Sequence, residues 1–262
     1  MSADGTPVHD AGRSGQLALG LEPGTRGLLD RVRPMHATDG EGPFDDPRSV
    51  FEPWWPGIRA FVSVEGGRVR VRAEALGDPA SRFPELAELP LLVRSDGVVL
   101  DVTLMILDAD GRPSTRLLQV RAAPEADGMP VTGAAPAPTT APAPDARRRH
   151  PAGTAALVAS DVVFLDGEDL SARSFGERRA RLAELLAPSS WCMAARGFVG
   201  EGTRVASVLA PLGFNALSAR RLDARLRRGP AGDAWFRVPL VAAPRALPPI
   251  LAVVARLPLE TG

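Results

Sequence analysis

Phe61-Val62-Ser63-Val64-Glu65-Gly66-Gly67-Arg68-Val69-Arg70-Val71-Arg72 is the stretch that decides the fold class. Two alternating runs flank Glu65-Gly66-Gly67, and a period of two around a glycine pair predicts a β-hairpin. Further along, Val98 to Leu107 reads as another apolar strand, closed by the turn Asp108-Ala109-Asp110-Gly111-Arg112-Pro113. Leu157 to Leu165 is a third, ending in the turn Asp166-Gly167-Glu168. Ser174 with Glu177 forms a capping box, which opens a helix to about Ala187 with Leu182, Leu185 and Leu186 on its apolar face. Val205 to Leu212 reads as a second helix, and Phe214 to Ala219 and Trp235 to Val241 as strands. Strand runs interleaved with a few helices predict an α+β fold of mostly antiparallel sheets with flanking helices.

On either side the composition changes. Residues 1–33 are polar and Gly-rich and are expected to be a flexible N-terminal segment, with order beginning near Pro34-Met35. Residues 122–156 are low in complexity, with an Ala/Pro run followed by Arg147-Arg148-Arg149-His150, and are expected to form a disordered linker inside the domain 34–262.

The 262 residues carry 31 basic and 31 acidic side chains, a balance that singles out neither nucleic acid nor membrane as partner. One cysteine, Cys192, excludes an intramolecular disulfide. Met1 to Gly20 lacks an apolar signal core and no stretch is long enough to span a bilayer, so a cytoplasmic location is expected. All 31 basic residues are arginine, and tyrosine is absent. A G+C-rich genome accounts for much of that bias. Its chemical consequence is independent of cause: without lysine there is no Schiff base, no lysyl-phosphoramidate and no lysine general base.

Five strings recur together: Pro43-Phe44-Asp45-Asp46-Pro47, Val64 to Arg70, Arg82-Phe83-Pro84-Glu85-Leu86, Leu107 to Ser114 and Phe164 to Leu170. In order and spacing they resemble the nucleotidyltransferase (adenylation) domain of bacterial ATP-dependent DNA ligases, of the end-joining type found in actinobacteria. The resemblance runs from about Pro34 to Pro239. It implies that family's fold, with ATP and Mg as its cofactors. In the family a lysine attacks the α-phosphate of ATP, carboxylates hold the metal, and lysines and arginines neutralise phosphate.

Set against the family motifs, most chemical groups have changed. Phe-Glu-x-Lys-x-Asp-Gly-x-Arg becomes Phe51-Glu52-Pro53-Trp54-Trp55-Pro56-Gly57-Ile58-Arg59, with Trp54 in the nucleophile's place and Pro56 in the aspartate's. The indole lone pair belongs to the ring, so Trp54 is no nucleophile. Ser-Arg-Asn-Gly becomes Ala73-Glu74-Ala75-Leu76, turning a phosphate-binding cation into an anion. Leu-Asp-Gly-Glu becomes Leu100-Asp101-Val102-Thr103, and the adenine-stacking aromatic before Asp161 is Ser160. Glu-Gly-x-x-x-Lys becomes Asn215 to Arg220, and the last motif becomes Ala234-Trp235-Phe236-Arg237-Val238-Pro239. Codon bias explains Arg220 and Arg237, but not Trp54, Pro56, Glu74, Thr103, Ser160 or Asn215. The tail after Pro239 is short and Pro-rich, so the family's DNA-clamping OB-fold is not expected in it.

Arg59, Asp101, Asp161, Arg220 and Arg237 are therefore the candidate vestigial nucleotide- or phosphate-binding residues, with no catalytic residue and no metal ligand. Asp101 and Asp161 stand between two readings, a residual metal site and scaffold polar residues. Arg59, Arg220 and Arg237 stand between a cationic groove and ordinary surface arginines. Trp54, Trp55 and Trp235 are expected to plug the former nucleotide pocket, and Cys192 to be a buried inert thiol. The resemblance implies a catalytically inactive ligase-like domain without cofactor, in an accessory or DNA-binding role in DNA repair. Its partners would be DNA ends, nicked duplex or a repair protein. Two alternatives stay open: an active ATP-dependent ligase, and a protein-interaction module that contacts neither nucleotide nor DNA.

Overall fold

The computed structural model describes residues 25–74, 76, 79–123, 153–187 and 189–257. In chain order its elements are α1 (Thr25–Arg31), β1 (Met35–His36), β2 (Thr38–Asp39), β3 (Ser49–Pro53), β4 (Ile58–Glu65), β5 (Arg68–Ala73), β6 (Gly97–Leu107), α2 (Thr115–Ala122), β7 (Thr154–Leu165) and β8 (Glu168–Asp169). Then follow α3 (Phe175–Leu185), β9 (Cys192–Ala194), β10 (Phe198–Val199), α4 (Gly202–Leu209), β11 (Ala216–Arg221), β12 (Gly229–Pro230), β13 (Trp235–Pro239) and α5 (Ile250–Val254). Short 3-10 segments include Pro84–Leu91, between β5 and β6.

The hairpin forms where the alternation placed it. Gly66 and Gly67 take φ of +57° and +68°, the left-handed pair that a two-residue hairpin turn needs. β4 then pairs antiparallel with β5 on one side and β6 on the other, and β6 pairs antiparallel with β7. The first sheet runs β5-β4-β6-β7-β8, with β9 added in parallel along β7. The second sheet runs β10-β3-β11-β13-β2, antiparallel except where β2 joins β13. A parallel pair, β1 with β12, stands apart. Buried side chains of both sheets merge into one core, with Phe51, Leu217, Ala219 and Val238 of the second beside Val62, Leu100, Leu104 and Leu157 of the first. Mixed α and β with antiparallel sheets is the α+β class expected.

Several boundaries differ from the sequence reading. The segment expected to be flexible, 1–33, contains α1, whose Leu28 and Leu29, with Val32 just beyond it, pack on Phe61, Val99, Val163 and Phe164 at the back of the first sheet. The span 122–156 expected as a linker gives Ala122 to α2 and Thr154 onward to β7, while 124–152 lies outside the described residues. α3 keeps its capping box, Ser174 Oγ accepting from Glu177 N, but stops at Leu185 because Leu186 turns extended and bridges to Val93. The tail after Pro239 carries α5, whose Ile250 and Val253 are buried, and Ile250 N donates to Gly111 O at 2.9 Å.

One glycine sets the spacing between strand and neighbour. A Cβ on Gly57 would lie 2.5 Å from the carbonyl oxygen of Leu104 and 2.6 Å from Thr103 Cγ2, so only glycine lets the start of β4 approach β6 this closely.

Candidate functional site in the cleft between the sheets

β3, β4, β6, β7, β11 and β13 converge on a half-open cavity of about 100 Å³, lined among others by Trp54, Trp55, Arg59, Thr103, Ser160, Ser218 and Trp235. Small-molecule pockets typically measure about 300–1,000 Å³, so the space is small for a nucleotide.

Beneath it lies a charge network built by strand register. β-bulges on either side of Leu100–Asp101 leave Asp101 directly opposite Asp161 across β6 and β7. Two facing carboxylates repel unless neutralised. Here three guanidinium groups neutralise them. Arg59 Nε donates to Asp101 Oδ1 at 2.8 Å, and its NH2 closes a second bond to Oδ2. Arg178 from α3 grips Asp161 with two bonds of 2.7 Å, and Arg220 NH2 adds a third at 2.8 Å. The Arg178 and Asp161 side chains are fully buried. Next to them Arg179 pairs with the buried Glu52 of β3 and donates to Ala195 O.

Burial works against the charge of Arg59, but the Asp101 carboxylate outweighs it and raises its pKa above the ordinary value. Burial pushes Arg220 the other way, Asp161 opposing and neighbouring Arg178 assisting the fall. A guanidinium holds its proton at any working pH, so Arg220 remains a cation.

Trp235 is the aromatic centre. Its indole N–H donates to Ser218 Oγ at 2.8 Å. The Arg59 guanidinium sits 4.7 Å from its ring centroid and that of Arg220 sits 5.1 Å away. Trp54 packs on it at 5.9 Å, tilted by 35°. Trp55 turns away and packs edge-on against Phe214.

The structure thus brings Arg59, Asp101, Asp161 and Arg220 into one network and leaves Arg237 outside it. Arg237 lies over the Trp54 ring at 5.7 Å, 3.9 Å from Asp39, and lines a second, outer cavity with Trp54, Asn215 and Leu247. The cationic groove envisaged for Arg59, Arg220 and Arg237 is not assembled: Arg59 binds Asp101 through two donors, Arg220 NH2 binds Asp161, and Arg237 lies outside their network. All three tryptophans line the cavity, Trp54 and Trp235 packed on each other and Trp55 reaching into the core against Phe214. Thr103 and Ser160 line the cavity, and Glu74 sits exposed 3.8 Å from His36 Nε2. Cys192 is buried in β9.

Sequence reasoning missed Arg178, Arg179, Glu52 and Ser218. For the two arginines the signal was Glu177-Arg178-Arg179 itself, a charged run on a capped helix that reads as a solvated face, and for Glu52 its match to the first family motif.

The residues do not fit an ATP–Mg complex. Both carboxylates already carry guanidinium partners, which repel a divalent cation, and no group of three His, Cys, Asp or Glu suited to a metal occurs among the described residues.

No family model matches the chain. It is 26% identical over 210 residues to the multifunctional non-homologous end joining DNA repair protein LigD of Mycobacterium tuberculosis, a match covering 80% of this chain and 24% of that protein. It is 30% identical over 187 residues to a probable DNA ligase of Streptomyces coelicolor, covering 70% of this chain and 33% of that one. The chain therefore spans a quarter to a third of the length of these relatives. A solved structure described as mycobacterial DNA ligase D complexed with ATP and MES superposes with a TM-score of 0.61 at 24% identity, covering 80% of this chain and 61% of that one. The ligase domain of M. tuberculosis LigD gives 0.59 at 23% identity. The chain has the fold of the ATP-dependent DNA ligase adenylation domain and is a relative of the end-joining ligases over that part of their length.

Proposed function

We propose that this chain is a ligase-like domain that does not form an enzyme–adenylate and that serves DNA repair by binding DNA. The observation that carries the reading is Trp54. It stands where the family places its nucleophilic lysine, its ring lies against Trp235, and the chain has no other primary side-chain amine to replace the missing one. Arginine is no substitute, since its guanidinium stays protonated at any working pH. The arginine pairs on Asp101 and Asp161 support the same reading, because they hold as internal ion pairs the groups that would otherwise face metal and phosphate.

A binding role needs no nucleophile, only surface chemistry. Mobility shift of a labelled nicked duplex at low and moderate salt tests it. Salt-sensitive retardation supports DNA binding, and none at low salt overturns it. Incubation with α-labelled ATP and Mg, followed by denaturing electrophoresis, tests the other half. Label that stays with the polypeptide would refute the inactive reading.

A further inference from the structure

Leu226, which packs against the cluster of Met35, Ala231 and Trp235, also lines a larger cavity of about 420 Å³, together with Leu28, Arg31, Arg33, Asp169, Arg227 and Arg228. It shares no lining residue with the tryptophan cavity. Four arginines line it against one aspartate, in a chain that as a whole carries 31 basic and 31 acidic side chains. None of Arg31, Arg33, Arg227 and Arg228 makes an ion pair with a carboxylate among the described residues, whereas most arginines of the tryptophan cleft do. Asp169 is occupied by the Ser171 amide at 2.9 Å, and the nearby Asp30 by Arg70.

The arginines are held in place by backbone ties. Leu226 N donates to Ser171 O at 3.0 Å and Gly229 N to Pro34 O at 3.1 Å, which fixes the Arg227-Arg228 pair beside Arg33. Gly229 makes the turn at φ +76°. Arg33 NH1 donates to the carbonyls of Asp30 and Val32, and Arg31 Nε to Gly27 O, so both side chains are anchored while other N–H groups stay available. Four arginines to one aspartate, around a cavity of ligand size, match the charge and fork geometry of phosphate.

We propose that this arginine cleft, formed by the end of α1 and the loop before β12, is a binding site for adjacent phosphate groups, and that the phosphodiester backbone of DNA is its ligand. The assignment of DNA rests on the function proposed above; the phosphate chemistry does not. The full chain is titrated into a labelled nicked duplex by fluorescence anisotropy between about 50 and 200 mM salt, a window over which counterion release weakens phosphate-driven binding steeply. An Arg33→Gln/Arg227→Gln/Arg228→Gln variant is compared with a charge-matched Arg112→Gln/Arg116→Gln/Arg256→Gln variant, whose arginines are exposed elsewhere. The cleft variant is expected to bind at least about tenfold more weakly and to lose about one from its log–log salt slope for each arginine that contacts phosphate, with little change in the control. Single Arg227→Gln and Arg228→Gln variants, both at exposed positions, give the same reading should the triple variant unfold.

Inorganic tripolyphosphate serves as the second probe, and polyglutamate as a polyanion without phosphate. Equal losses in cleft and control variants overturn the site while leaving DNA binding elsewhere intact. Displacement by polyglutamate as effective as by tripolyphosphate overturns phosphate recognition. Cleft-dependent tripolyphosphate binding without duplex binding upholds the site with a free polyphosphate as ligand and overturns the DNA reading. Absence of both sinks both.

Discussion

Asp161→Ala is the perturbation that most severely strains the network under the cleft. The Asp161 carboxylate is fully buried and receives three hydrogen bonds of 2.7, 2.7 and 2.8 Å from two arginines whose side chains are 0% and 2% exposed. Removing it strands two cations in the core, joined there by Arg59. Losing one partner of a buried pair costs roughly 3–5 kcal/mol. Arg178 keeps a bond to Arg173 O at 2.6 Å, so the two losses do not simply add. A value near 4 kcal/mol is expected, out of a total stability of about 5–15 kcal/mol. With a urea dependence of about 2 kcal/mol per molar, the unfolding midpoint falls by about 2 M. Asp101→Ala is the internal comparison. Its partner Arg59 is 26% exposed, stays hydrogen-bonded to Met35 O and lies over Trp235. A loss of about 2 kcal/mol, or about 1 M, is expected there. Urea titrations followed by tryptophan fluorescence and circular dichroism measure both. A midpoint loss for Asp161→Ala below about 0.5 M, or smaller than that for Asp101→Ala, would refute the reasoning.

Other perturbations probe other parts of the fold. Glu85 accepts two bonds of 2.6 and 2.7 Å from Arg121 and one from Ala155 N. Burial opposes ionisation, but those bonds hold its carboxyl below the usual carboxylate range. A depressed value in the folded state stabilises above the unfolded value of about 4.3 and is lost as pH falls through the folded one. Glu85→Gln is therefore expected to lower the urea midpoint at pH 7 and to flatten its fall below about pH 5; an unchanged acid limb contradicts this. Gly57→Ala drives a methyl group to 2.5 Å from Leu104 O, and a cost of about 1–3 kcal/mol is expected, read as a lowered thermal midpoint. Ser174→Ala removes the α3 cap and is expected to cost about 1 kcal/mol, whereas Ser174→Asp restores most of it.

What was legible in the sequence followed short-range rules. The Gly66-Gly67 turn, the Val98 to Leu107 strand and the Ser174 capping box each carry their cause within a few residues. α1 carries none: Leu28 and Leu29 become helical because Phe61 and Val163, far along the chain, offer them an apolar surface. β3 was unread because all five of its residues are buried, which erases the alternation that marks a half-exposed strand. Its buried Glu52 pairs with Arg179, 127 positions later. The same holds for the cleft. The altered motif residues were visible by resemblance, but the partners of Asp161 come from α3 and β11. Whether Arg220 faces a ligand or a carboxylate is decided by a β-bulge between strands that meet only in three dimensions.

The absence of a covalent adenylate is tested most directly by intact-protein mass spectrometry after prolonged incubation with ATP and Mg. The expected spectrum is that of the unmodified 262-residue polypeptide. A species heavier by one adenylyl group and resistant to denaturation would contradict the central claim, because it would require a nucleophile where Trp54 offers none.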